Sequence, residues 1–233
     1  MKTPYTGWLV LLTVALLPLA SAGEPNTTKP VEKDGQRHKG FLADIKKMNG
    51  NIDLVFVGDS ITDGWRGGGK AVWQKHFAAH KPLNLGISGD RTEHVLWRLK
   101  NGELEGYKAR LFVVMIGTNN GGDSAPDVAA GIEAIVKEIA GKQPQAKILL
   151  LGIFPRSEKP DGTRQKNEEV NKLIAKLDDK KTVTFLDIGD KFLDKDKVLS
   201  KDIMPDALHP NAKGYEIWAN AIDEPIKRVL GGQ

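Results

Sequence analysis

Five short, continuous apolar runs punctuate the chain: Ile52–Val57, Leu83–Leu85, Leu111–Ile116, Lys147–Ile153 and Val183–Ile188. They do not alternate with polar residues, which is the pattern of strands buried on both faces of a parallel sheet. Between them apolar residues recur at helical spacing. Val95, Leu96 and Leu99 form one such stripe, and Val170, Leu173, Ile174 and Leu177 another. Val128, Ile132, Ile135, Val136 and Ile139 form a longer one, with Ser124 and Asp127 as start signals. An opening helix from Arg37 to Met48 carries Phe41, Leu42, Ile45 and Met48. A terminal helix carries Tyr215, Trp218, Ala219, Ile222, Ile226 and Val229, with a kink expected at Pro225. The alternation predicts one doubly wound, three-layer α/β domain over residues 37–233.

The N-terminus follows another pattern. Lys2 precedes the mostly apolar run Trp8 to Leu19, and Ala20-Ser21-Ala22 offers small residues for cleavage. These are the parts of a secretory signal, and the run is shorter than the roughly 20 apolar residues of a membrane span. The expectation is a leader over residues 1–22, cleaved after Ala22, and a secreted or periplasmic protein without stable membrane insertion. Residues 23–36 are polar, with Pro25 and Pro30, and read as a mobile lead-in. Asn26-Thr27-Thr28 is a glycosylation sequon, relevant only in a eukaryotic secretory pathway.

Composition narrows the chemistry. The 233 residues are 40% hydrophobic and 27% charged, which is ordinary for a globular domain. The net charge of +4 becomes +3 without Lys2, too small a footprint for nucleic acid. There is no cysteine, which excludes disulfides, thiolate metal sites and a cysteine nucleophile together.

A parallel sheet of this kind presents its ligand site at the carboxyl ends of its strands. After the first strand comes Gly58-Asp59-Ser60-Ile61, after the second Gly86-Ile87-Ser88-Gly89-Asp90, and after the third Gly117-Thr118-Asn119-Asn120. Asp206-Ala207-Leu208-His209 precedes the last helix. Hydroxyl, free backbone amide, carboxamide and carboxylate–imidazole pair are the inventory for acyl transfer. Ser60 is the candidate nucleophile, His209 its base and Asp206 the group that orients the imidazole. Each residue also has a plainer role open to it: Ser60 and Asp206 as helix caps, Gly89 as a turn glycine, Asn119 in an Asx turn.

These blocks resemble the GDSL, or SGNH, hydrolases. The similarity is greatest to the branch of intracellular platelet-activating-factor acetylhydrolase catalytic subunits. It extends through Val55–Ser60, Gly86–Asp90, His94–Glu105, Gly117–Asn120, Gln143–Ile148 and Pro155–Pro160, and covers roughly Arg37 to Arg228. It implies a flavodoxin-like five-stranded parallel sheet and serine-esterase chemistry. It implies Ser60, His209 and Asp206 as the triad, with the Ser60 N–H, the Gly89 N–H and the Asn119 side chain as oxyanion hole. The superfamily's third block usually reads Gly-x-Asn-Asp, and Asn120 replaces that Asp, as in the acetylhydrolase branch. The export signal departs from that branch, so its substrate and partners do not transfer.

Other motifs compete weakly. Gly64 to Lys70 has the spacing of a phosphate-binding loop, but Ala71 stands where the magnesium-binding hydroxyl belongs. It reads better as a flexible loop near the pocket mouth. His76 and His80 have zinc-like spacing without a third ligand. Ile61, Trp65 and Phe154 are candidates to line the substrate pocket, Trp65 equally a core residue; Trp73, Trp97 and Trp218 read as core. The expectation is an exported esterase releasing a short, acetyl-sized acyl group from a small-molecule or glycan ester, with no metal or organic cofactor. Phospholipid deacylation is the alternative within the class, and a non-catalytic small-ligand module the alternative outside it. The oligomeric state is not legible in the sequence.

Overall fold

The computed structural model describes residues 23–231, so the expected leader lies outside the described residues. Strands β1 (Leu54–Gly58), β2 (Pro82–Gly86), β3 (Leu111–Met115), β4 (Lys147–Leu151) and β5 (Val183–Leu186) form one sheet in the order β2-β1-β3-β4-β5. Every pairing is parallel. Each apolar run coincides with a strand within two residues at either end; β2 extends one residue beyond its run on both sides. Leu54 pairs with both Pro82 and Leu111, so Ile52 precedes the first rung of the ladder.

The helices are α1 (Gly35–Met48), α2 (Ser60–Asp63), α3 (Lys70–Phe77), α4 (Thr92–Arg98), α5 (Ala125–Lys142), α6 (Gly162–Ile174) and α7 (Ala212–Leu230). Side chains alternate between the faces of the sheet. Val55, Val57, Leu85, Phe112, Val114, Ile148 and Leu150 pack under α1, α4, α5 and α6. Leu54, Phe56, Leu111, Val113, Met115 and Leu149 pack under α2, α3 and α7. This explains why the central strands read as unbroken apolar runs: β1 and β3 are buried along their whole length, while the edge strand β5 exposes Thr184. Full burial of residues such as Phe56 and Phe112 contributes about 1.5–3 kcal/mol each. Helix α7 continues across Pro225 as one element. Among the described residues, no helix is long and apolar enough to cross a membrane.

Two expectations need correction. Residues 23–36 are not a loose lead-in. Thr27 is fully buried, donates through its hydroxyl to the Asp127 carbonyl at 2.6 Å and accepts from the Thr92 hydroxyl at 3.1 Å. The Val31 N–H donates to the Glu93 carbonyl, and α1 begins at Gly35 with Asp34 as its cap. The segment is therefore fastened across α4 and α5. The loop Gly64–Lys70 does border the cleft, through Gly64, Gly67 and Gly68, but Gly64 and Gly69 also serve close packing. A Cβ at Gly64 would lie 2.0 Å from the Tyr215 hydroxyl, and one at Gly69 only 2.7 Å from the Trp65 ring. The loop seats α7 on the Trp65 side of the core.

Trp218 is core, whereas Trp73 and Trp97 are half-buried. His76 points to Glu216 of α7 at 3.1 Å and so tacks α3 to α7.

Candidate active site

Ser60 opens α2 directly after β1. Asp59 caps the helix, its Oδ1 accepting from the Ile61 N–H at 3.0 Å, which leaves the serine hydroxyl free. Ser60 Oγ lies 2.9 Å from His209 Nε2, and His209 Nδ1 lies 2.6 Å from Asp206 Oδ2. With Nδ1 protonated, the ring donates to Asp206 and accepts the serine O–H. The loop before α7 folds tightly to make this possible. Asp206 Oδ1 accepts the N–H groups of Leu208 and His209 at 3.1 and 2.7 Å, and Ala207 adopts a left-handed φ of 58°. The Ser157 N–H holds the loop through the Ala207 carbonyl at 2.9 Å.

Partial burial pushes the Asp206 carboxyl up. Hydrogen bonds from the His209 ring and N–H and from the Leu208 N–H outweigh that and hold it below the usual range. It therefore stays anionic at any pH where His209 can act as a base.

The loop after β2 turns at Gly89, whose φ of +73° favours glycine. No hydrogen-bond partner is made by the N–H groups of Ser60 or Gly89 among the described residues. Asn119, after β3, spends one carboxamide N–H on the Asp90 carbonyl at 2.9 Å, which fixes the group and leaves its second N–H uncommitted. Three unspent donors thus accompany the hydroxyl at one sheet edge, the arrangement that can stabilise an oxyanion.

The support for this edge was hidden from pattern reading. Asp90 is buried and receives the Arg98 Nε at 2.9 Å; Arg98 also pairs with buried Glu103, which holds His38 Nδ1 at 2.9 Å. Lys33, from the docked N-terminal segment, reaches Asp90 and the Ser88 carbonyl. Together they fix the Gly89 loop. One clue existed: Arg98 sits between apolar Leu96 and Leu99 on a buried helix, where an arginine requires partners. Asn120 is fully buried and accepts from the Thr92 N–H at 3.1 Å, capping α4 from outside the helix.

The cleft over Ser60 holds about 540 Å³ and is lined by Arg37, Asp63, Gly64, Arg66, Gly67, Gly68, Ser88, His209, Pro210 and Tyr215. The expected pocket residues Ile61, Trp65 and Phe154 are absent from it. Each is about 1% exposed and packs beneath the site in the α7-side core. One residue along a helix turns a side chain by about 100°, so Ile61 points away from the face that Ser60 presents.

Asp59 is fully buried, its Oδ2 has no partner, and burial pushes its carboxyl from the ordinary 3.8 up to about 7. The folded chain then binds this proton more readily than the unfolded one. Stability falls as pH rises from about 4 through 7, by about 2 kcal/mol between pH 5 and 7 from this group. Asp59→Asn keeps the acceptor for Ile61 and removes the titration. Urea midpoints at pH 5 and 7 should therefore separate less in the variant than in the wild type. Equal separations would mean that Asp59 is ionised at both pH values.

Comparison with known proteins agrees with the geometry. The GDSL-like lipase/acylhydrolase family matches residues 56–217. The human platelet-activating factor acetylhydrolase IB subunit alpha2 is 41% identical over 213 residues, 90% of this chain and 91% of its own. Among solved structures, a candidate acylhydrolase of Bacteroides fragilis superposes with TM-score 0.71 at 20% identity, covering 85% of this chain and 100% of that one. A carbohydrate acetylesterase of Sinorhizobium meliloti superposes with TM-score 0.61 at 19% identity, over 77% and 100%. With the sheet order, the strand-end blocks and this breadth of sequence match in agreement, the chain belongs to the GDSL-like lipase/acylhydrolase family and is a carboxylic ester hydrolase.

Proposed function

We propose that the protein is an exported serine esterase that removes short acyl groups, acetyl above all, from polar alcohols such as sugars. The Ser60–His209–Asp206 relay, at 2.9 and 2.6 Å, carries this reading. Ser60 Oγ attacks the ester carbonyl while His209 Nε2 takes its proton. Asp206 holds the ring and stabilises the imidazolium. The carbonyl oxygen becomes an oxyanion facing the Ser60 and Gly89 N–H groups and the Asn119 carboxamide. As the tetrahedral intermediate collapses, His209 protonates the departing alcohol and an acyl-serine remains. Water, deprotonated by His209, then releases the acid.

The cleft lining favours small acyl groups and polar alcohols. It is built from charged residues, glycines, serines, a histidine, a proline and a tyrosine, and includes no aliphatic wall to hold a long chain. The acetylhydrolase activity named for the human relative favours acetyl as well. Export is supported by Lys2, the Trp8–Leu19 run and Ala20-Ser21-Ala22. That relative also favours a second reading, in which the alcohol is a phospholipid.

An acyl-chain series on aryl esters, repeated with acetylated sugars and an acetyl phospholipid, tests both. We expect kcat/KM to fall about tenfold or more from acetyl to octanoyl, with acetylated sugars turned over faster than the phospholipid. Rising rates with chain length would sink the short-acyl reading. A preference for the phospholipid would install the second one.

A further inference from the structure

We propose that Arg37 is a specificity residue that binds an anionic group carried by the alcohol part of the ester substrate. The inference rests on the esterase reading of Ser60 and names the substrate class for that site.

Arg37 stands in the first turn of α1 and lines the same cleft as Ser60 and His209. Its Nη2 donates to Asp63 Oδ1 at 2.6 Å and to the Gly86 carbonyl at 3.3 Å. Asp63 Oδ1 also receives Arg66 Nη1 at 2.7 Å, so one carboxylate oxygen serves two guanidinium groups. Arg66 is otherwise committed, to the Gly86 and Asn84 carbonyls. Arg37 is not: its Nε and Nη1 make no hydrogen bond among the described residues, and its side chain is 41% exposed. Both guanidinium groups rest on the Phe41 ring, 5.3 and 5.2 Å from its centroid, which holds the pair in place. The result is a fixed, half-exposed cation whose Nε and Nη1 still have N–H groups to donate, in the cleft that Ser60 lines.

Other carboxylates nearby do not satisfy it. Asp34 accepts the backbone N–H of Arg37 as the cap of α1 and makes no ion pair with its guanidinium, and Asp44 lies two turns along α1, in a separate groove bordered by Lys47 and Arg66. A guanidinium with N–H groups to spare donates charge-assisted hydrogen bonds to a carboxylate, sulfate or phosphate. An acetyl group carries no charge, so the anion belongs to the alcohol. An acidic sugar and a phospholipid headgroup both supply that chemistry.

The test uses three acetyl esters: a neutral hexoside, a hexuronic acid and a glycerophospholipid. Wild-type protein, Arg37→Gln and Arg37→Lys are compared. The wild type should favour an anionic ester over the neutral one, with a KM for it that rises with added NaCl. In Arg37→Gln, kcat/KM for the anionic ester should fall about tenfold or more beyond any fall for the neutral one, mainly through KM, and the salt dependence should flatten. Arg37→Lys should recover part of the difference. A parallel fall on neutral and anionic esters overturns the proposal and leaves Arg37 a structural residue. A wild type that hydrolyses neutral and anionic esters equally also overturns it while the esterase reading stands. A wild type that hydrolyses none of them, nor aryl acetates, overturns the esterase reading itself. Whichever anionic ester responds to Arg37 identifies the source of the anion.

Discussion

Ser60→Ala is expected to lower kcat/KM on aryl acetates by about 10³-fold or more while leaving the fold intact. The hydroxyl's one hydrogen bond is to His209 at 2.9 Å, and the cap of α2 comes from Asp59. Removing Oγ therefore costs the helix nothing at its terminus, and His209 keeps its bond to Asp206. The loss is larger than the removal of one contact suggests, because the oxygen that forms the covalent intermediate is gone. What survives is the contribution of the oxyanion donors and of binding, which can still exceed the rate in water. Near-wild-type turnover with an unchanged melting temperature would mean that another group attacks the ester.

The sheet was legible because its central strands are covered on both faces. Continuous apolar runs such as Leu111–Ile116, alternating with helical stripes, read as strands of a parallel sheet, and the residues after each run then stand at the ligand edge. Ser60, Gly89 and Asn119 could be nominated from that position, Asp206 and His209 from the block before the last helix, and the family resemblance then joined them into one site. What pattern could not supply depends on long-range pairing or on side-chain direction. Thr27 looks like an ordinary polar residue in a polar segment, yet it bonds the Asp127 carbonyl 100 residues away. Ile61 and Trp65 are close to Ser60 in sequence but turn into the core, because helical geometry decides facing. Arg37 occupies a polar position of an amphipathic helix. Only the meeting of α1 with Asp63 shows that its guanidinium lines the cleft over Ser60.

The same contrast separates two adjacent asparagines. Asn119 has its carboxamide fixed by the Asp90 carbonyl and one N–H to spare. In the ground state the ester carbonyl oxygen is weakly polar, whereas in the tetrahedral intermediate it carries nearly a full negative charge. A fixed donor therefore stabilises the transition state more than the bound substrate. Asn119→Ala should lower kcat by about 10² to 10³, roughly 3–4 kcal/mol, with KM nearly unchanged. Asn120 has no donor to spare. Its Nδ2 serves Glu93 and Asp123, and its Oδ1 accepts the first N–H of α4. Asn120→Ala leaves a buried N–H and two carboxylates short of partners, so its cost should appear as about 1–3 kcal/mol of stability, with a much smaller change in kcat. Kinetics and melting measured on the two variants side by side distinguish the roles. The assignment fails if Asn120→Ala is the slower enzyme and Asn119→Ala the less stable fold, for then the residue that faces the oxyanion is the one placed here beneath α4.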